Sequence, residues 1–284
     1  MTRFFPSEWQ SSRVVKGVLI VVLIILAGIA AILIGDAIPV GVDFHYAFYP
    51  VARAILGGQS PYIVPEFLMP PWAAIFVTPF GLLPEKVAWG AFVIVDIFCY
   101  IYAFRRMEFD RISIALMMVS PFVFYGAFHG NLEFLVLVGS ILPLQIGVWF
   151  LIIKPQMSFP LLLFLAYRIW QAEGWKSVAL KFGPPTLIYT LFLVTGWMNI
   201  PNLSRMPWNT SAWPWGLPLG VLMVVLALIK NDKLLAFAAG PFFSPYLAFH
   251  TWVVTLLPYR NKRVFLAIFI VLSWVVLLQR GYPL

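Results

Sequence analysis

Charged side chains are scarce in this sequence. Asp, Glu, Lys and Arg make up 11% of its 284 residues, against about 25% in an ordinary soluble domain. A soluble core needs a polar shell, and too few polar residues are present to build one, so a water-soluble globular fold is excluded. Cysteine is nearly absent. Cys99 stands alone inside an apolar run, which removes disulfides as a source of stability. Three histidines without local spacing make no histidine metal site. Phosphate-binding glycine loops, HExxH, CxxC and nucleophile-elbow motifs are missing too. Acidic residues are outnumbered, 11 against 19 basic, for a formal charge of +8. The basic residues sit in short clusters between apolar runs and not on one face, so the excess does not point to nucleic acid.

What fills the chain is hydrophobic, 62% of it. Residues 17–35 run 19 positions without a charge until Asp36, enough to cross a bilayer core of about 30 Å. The run is too long for a signal-peptide core and lacks a small-residue cleavage site. Arg3, Arg13 and Lys16 precede it, which places the N-terminus in the cytoplasm of a cell-membrane protein by the positive-inside rule. With its flank, the first span covers 13–35. Residues 1–12, with Phe4, Phe5 and Trp9, are expected on the membrane surface.

Residues 36–86 are expected as one long extracytoplasmic loop. Within it 43–56 reads as a short helix ended by Gly57-Gly58, Gln59-Ser60-Pro61-Tyr62 as a turn, and 70–83 as a re-entrant or interfacial element. The remaining helices occupy 87–284. The spacing predicts an inward span over 87–104 and an outward one over 112–128. For 132–154 and 159–167 it leaves two possibilities: two short helices and a third, or one kinked span with an interfacial piece. An outward span over 182–198 and an inward one over 213–229 follow. A hairpin over 234–258, broken at Ser244-Pro245, and a last span over 264–278 complete the map. All but Arg53, Lys86, Lys154, Arg205 and Arg280 of the 19 basic residues then face the cytoplasm. The fold class is therefore all-α, a single polytopic transmembrane helical bundle with broken, re-entrant short helices. Prolines near 143, 155 and 245 point to a cavity, since freed backbone groups in lipid must face protein or water.

Polar residues in such a setting are the candidates for chemistry. Asp43 and His45 lie among Phe44, Tyr46, Phe48 and Tyr49 in the outer loop, an acid and an imidazole at a membrane surface. They suit a polar headgroup or sugar, and Asp43 equally suits a helix N-cap. Asp96, mid-span, reads foremost as a buried hydrogen-bonding group. Asn131 and Glu133 sit at an outer helix junction. Lys154 ends an apolar run, where it either snorkels or binds a lipid phosphate as a point charge. His250 follows Ser244-Pro245-Tyr246 near a hairpin tip, a position more often structural than catalytic. Asn209-Thr210-Ser211 matches a glycosylation triplet that is common by chance.

Together, Asp43-x-x-Tyr46-x-x-Tyr49-Pro50, Gly58-Gln59-x-Pro61-Tyr62, Pro70-Pro71, Gly130-Asn131-x-Glu133, Lys154-Pro155-Gln156, Asn209-x-Ser211 and Ser244-Pro245-Tyr246 with His250 follow a recognisable order. Over about residues 36–258 that order resembles the family-87 glycosyltransferases, integral membrane enzymes of the GT-C fold that use polyprenyl-phosphate sugars, typically mannose. By that resemblance the chain would be a shortened member, with Gly130-Asn131 where the family often carries Gly-Gln.

The resemblance implies inverting or retaining transfer of a hexose on the outer membrane face, from a polyprenyl-phosphate donor to a lipid or glycan acceptor. Asp43 corresponds to the general base and Lys154 to the group that stabilises the departing phosphate. Arg53 and His250 are secondary phosphate contacts. His45, Tyr46, Tyr49, Asn131, Glu133 and Tyr246 are candidates for holding sugar or acceptor, with Trp72 available for stacking. No cofactor is implied, and a divalent metal requirement is left open, because basic side chains alone can neutralise a lipid monophosphate. Two other readings compete: a non-catalytic accessory subunit that packs with protein partners in a membrane complex, and a small transporter. Against the transporter, the two halves show no matching pair of broken helices.

Overall fold

A computed structural model describes residues 13–196 and 203–279. The expected surface segment 1–12, the end of the span expected over 182–198, and Arg280 lie outside the described residues. Among those described, the chain is helical with irregular connections and has no β-strand.

Helix α1, Arg13–Ala37, covers the first apolar run. A wide helical turn, Phe44–Phe48, leads directly into α2, Tyr49–Leu56. The chain leaves that helix at Gly57 and Gly58, the second of which has φ +73°, a conformation glycine adopts without strain. Ser60 then starts the short turn Pro61–Ile63 by accepting the Tyr62 N–H. The segment expected to be too short to cross is α3, Pro71–Val77, continued by a 3₁₀ stretch, Thr78–Leu82. Helix α4, Glu85–Arg106, ends on Arg105 and Arg106, cations that suit the negative end of a helix dipole.

The helix expected as one piece over 112–128 is broken. It forms α5, Arg111–Met118, and α6, Pro121–His129, bent by 54°. Ser120 accepts the Val123 N–H as a new N-cap, and Pro121 takes the first helical position, where its missing N–H is no loss. The open choice over 132–167 resolves to two short helices and a third: α7, Glu133–Gly139, α8, Leu144–Leu151, and the longer α9, Pro155–Glu173. Helix α10 is Trp175–Val194, and α11 is Leu217–Lys230. The hairpin is α12, Lys233–Ala238, and a 3₁₀ turn, Gly240–Phe243. After the break at Ser244-Pro245 its second arm is 3₁₀ over Phe249–Tyr259. Helix α13 is Arg263–Gln279.

Among the described residues, α1 from Lys16, α4 and α10 are long and apolar enough to cross a membrane, and the bent pair α5 and α6 passes the same test together. Helices α11 and α13 are apolar but shorter. At 14 residues α11 is roughly 21 Å long, less than a bilayer core.

The core lies between α4, α6, α7 and the wide turn before α2, where Phe44, Trp89, Phe92 and Phe134 stack edge and face. In contrast α1, α10 and α13 present apolar side chains such as Ile24, Leu187 and Val271 outward. That much contiguous apolar surface is costly in water and not in hydrocarbon. Helix α1 is held by close approach. A Cβ on Gly35 would lie 1.9 Å from the Lys86 carbonyl oxygen, and one on Gly90 1.9 Å from that of Ala31. Small residues permit such contact between apolar helices.

Candidate functional site

Three distant parts of the chain meet inside the bundle. The turn from α6 to α7 brings Asn131 and Glu133. It depends on Gly130, whose φ of +76° is left-handed and whose absent Cβ would lie 2.7 Å from that of Phe44. Lys154 stands just before Pro155 at the start of α9. His250 and Thr251 come from the 3₁₀ arm after the Ser244-Pro245 break.

A continuous polar chain joins them. Asn131 Nδ2 donates to Asp43 Oδ2, while its Oδ1 accepts from Lys154 Nζ and from the Leu132 N–H. The amide thus turns its donor to the carboxylate and its acceptor to the ammonium. Lys154 Nζ also donates to Glu133 Oε1, which accepts from Thr251 Oγ1 at 3.2 Å and lies 3.0 Å from His250 Nε2. Glu133 is fully buried, and Lys154 and His250 are each 4% exposed. Ions so far from water persist only when paired and hydrogen-bonded. Lys154 and Glu133 meet that condition for each other.

The chain opens on a cavity of about 640 Å³, within the range of small-ligand sites. Asp43, Asn131, Lys154, His250, Thr251 and Tyr246 form its polar wall, and Phe48, Leu68, Met69, Phe159 and Phe243 an apolar one. Tyr246 carries its hydroxyl against Trp208 Nε1, and burial pushes its phenol above the ordinary value. Breaks at 155, 244 and 245 do border this cavity, whereas Pro143 starts α8 away from it.

Of the residues singled out from sequence, Asp43, Asn131, Lys154, His250 and Tyr246 share this cavity. Glu133 lies behind Lys154 as its counter-ion and does not line the space. Arg53 is turned elsewhere and donates to the Gly81 carbonyl at 3.0 Å. His45 Nδ1 lies 2.6 Å from Glu85, with Tyr46 edge-on to its ring, and Tyr49 donates to the Leu83 carbonyl. Trp72 donates to the Trp149 carbonyl. None of these five lines the cavity.

Two expectations change, and one chance match finds a structural role. Asp43 is not a cap: its backbone is already helical, it makes no side-chain cap bond, and its carboxylate reaches Asn131 instead. Asp96 is fully buried, yet neither carboxylate oxygen has a hydrogen-bond partner among the described residues. The Asn209 amide is occupied by the fold, donating to the Ser204 and Pro245 carbonyls and accepting from the Ser211 and Leu247 N–H groups. Its triplet clasps one loop to another.

Sequence reasoning missed Thr251, Glu66 and Tyr189, which also border the cavity or its ion pair. Glu66 was visible as an acid in the polar loop, and Thr251 as the neighbour of His250. Nothing in the pattern marked Tyr189. Among the described residues no group of three or more His, Cys, Asp or Glu side chains is placed to hold a metal. Set against protein-family models, characterised proteins and solved structures, the chain matches none. The family-87 resemblance rests on the quoted motifs alone.

Proposed function

We propose that this chain is an integral membrane glycosyltransferase of GT-C-like fold, moving a hexose from a polyprenyl-phosphate donor to a lipid or glycan acceptor. In this reading the N-terminus is cytoplasmic, the short broken helices around the cavity lie toward the outer face of the cell membrane, and the donor lipid enters there. One observation carries the proposal: Asp43 and Lys154, the residues the resemblance assigns to base and phosphate, border one cavity and are bridged by a single amide, Asn131.

The chemistry asked of them is modest. Asp43 Oδ2 is engaged by Asn131, leaving the other oxygen to accept the proton of an acceptor hydroxyl. That hydroxyl oxygen bonds to the anomeric carbon as the carbon–oxygen bond to phosphate breaks, and the electron pair leaves on polyprenyl phosphate. Lys154 has three N–H donors, two directed at Asn131 and Glu133, so one is left for the developing phosphate charge. The apolar wall of Phe48, Leu68, Met69, Phe159 and Phe243 suits an isoprenoid chain.

One observation favours a second reading. The Lys154 charge is already met by Glu133, as expected of a structural brace in a non-catalytic accessory subunit of a membrane complex. Purified protein in lipid nanodiscs, supplied with polyprenyl-phosphate mannose or glucose and an acceptor lipid extract, separates the two. Catalysis predicts release of polyprenyl phosphate, and Asp43→Asn slows it by about 10²–10⁴-fold with folding unchanged. Normal turnover in that variant removes Asp43 as base. No release with either donor, together with stable co-purifying partners, supports the accessory role.

A further inference from the structure

A second recess, of about 470 Å³, lies at the C-terminal ends of α4 and α11. Arg106 from α4, Lys230 from α11, Lys233 from α12 and Arg260 after the 3₁₀ arm surround it, with Glu108 and Asp232 the acids on its wall. Both acids are engaged. Asp232 caps α12 by accepting the Leu234 and Leu235 N–H groups at 2.9 and 3.2 Å, and Glu108 lies 3.8 Å from Arg260. Among the described residues Arg106, Lys230 and Lys233 have no carboxylate within ion-pair distance, so four cations face two committed anions.

Both non-glycine residues with positive φ among those described, Glu108 at +66° and Asn231 at +52°, lie on this recess. Asn231 has an ordinary reason as the left-handed C-cap of α11. Glu108 has the same reason at the end of α4: its N–H donates to the Arg105 carbonyl and the Phe109 N–H to the Phe104 carbonyl, each at 3.0 Å, the bonds that close a helix through a left-handed residue. Two left-handed helix ends thus meet at one recess rich in positive charge.

The position selects the ligand. Helix α4 has 22 residues, roughly 33 Å, so with the helix across a bilayer Arg105 and Arg106 lie at headgroup depth. Basic recesses between helix ends at that depth meet lipid phosphates. We propose that this recess binds the phosphate of an anionic phospholipid, held by Arg106, Lys230, Lys233 and Arg260. The inference rests on membrane residence and is independent of glycosyl transfer.

The test is a titration of purified full-length protein in neutral detergent, read by native mass spectrometry, with dioleoyl-phosphatidylglycerol or dioleoyl-phosphatidylcholine. Phosphatidylglycerol is expected to be retained and phosphatidylcholine not. Lys230→Gln and Lys233→Gln, both at exposed positions, each lose about fivefold in retention. Arg168→Gln, an exposed cation on α9, loses none. Equal retention of the two lipids overturns the proposal, as does unchanged retention in both lysine variants or an equal loss in Arg168→Gln. Displacement of the lipid by millimolar inorganic phosphate assigns the recess to a free anion and overturns the lipid as its occupant.

Discussion

Lys154 and Glu133 form an ion pair whose side chains are 5% and 0% exposed, 21 residues apart in sequence. The pair ties the start of α9 to the start of α7. Removing one partner leaves the other charge in the bundle interior, a loss of about 3–5 kcal/mol. Glu133→Ala and Lys154→Met are each expected to unfold at markedly lower denaturant. The double variant is expected to lose clearly less than the sum, because no lone charge remains. Equilibrium unfolding in mixed micelles, run as a double-mutant cycle, measures the coupling.

Asn131 serves both sides of the cavity with one amide. Asn131→Leu keeps the branched outline with a larger volume and removes both contacts, and it leaves the buried Leu132 N–H without its acceptor at 2.8 Å. Stability is expected to fall by about 1–3 kcal/mol. If the cavity catalyses transfer, kcat is expected to fall on the order of 100-fold with KM nearly constant, since base and phosphate contact lose their alignment while the walls persist. Steady-state rates with a saturating donor separate these effects.

Gly90 lies against the Ala31 carbonyl with no room for a methyl group. Gly90→Ala therefore forces α1 away from α4. A loss of about 1–3 kcal/mol is expected, together with weaker cross-linking of cysteine pairs placed along the two helices. Gly28→Ala, where a Cβ meets nothing within 4 Å, leaves both readouts unchanged.

Asp110 fastens α5 to α13. The Ser113 N–H and the Arg263 guanidinium hold its carboxyl down from 3.8 to about 2. A folded value below the unfolded one means that the contact stabilises the fold fully above pH about 4 and fades as the pH falls toward 2. The protection of the α13 amides, taken against the intrinsic exchange rate at each pH, is expected to fall over that window. Asp110→Asn keeps the cap acceptor, loses the charge and shows the lowered protection at neutral pH. An unchanged acid profile for α13 would refute the tether.

Much of the helical plan was legible along the chain. The run 17–35 became α1, the shortness of 70–83 was real, and Gly57-Gly58 ended α2 as expected. These follow from hydropathy and backbone preference, which are local. The break at Ser120 was not read, although a serine before proline is an ordinary start for a new helix. Asp43 was weighed as a cap because a cap needs only its own neighbours. Its partner, Asn131, lies 88 residues away.

The sequence by itself determined that the chain is helical and that several helices turn apolar side chains outward, since charge content and run length decide both without reference to any partner. It also placed Asp43, Asn131, Lys154 and His250 among the residues to watch. Only the tertiary structure decided that these four border one cavity while Arg53, His45, Tyr46 and Tyr49 do not. It alone paired Lys154 with Glu133 and left Asp96 unpartnered among the described residues. The reason is physical. Which polar groups meet inside a bundle depends on where backbones can approach, at Gly35, Gly90 and Gly130 here. Those contacts join segments whose separation along the chain carries no signal of their meeting.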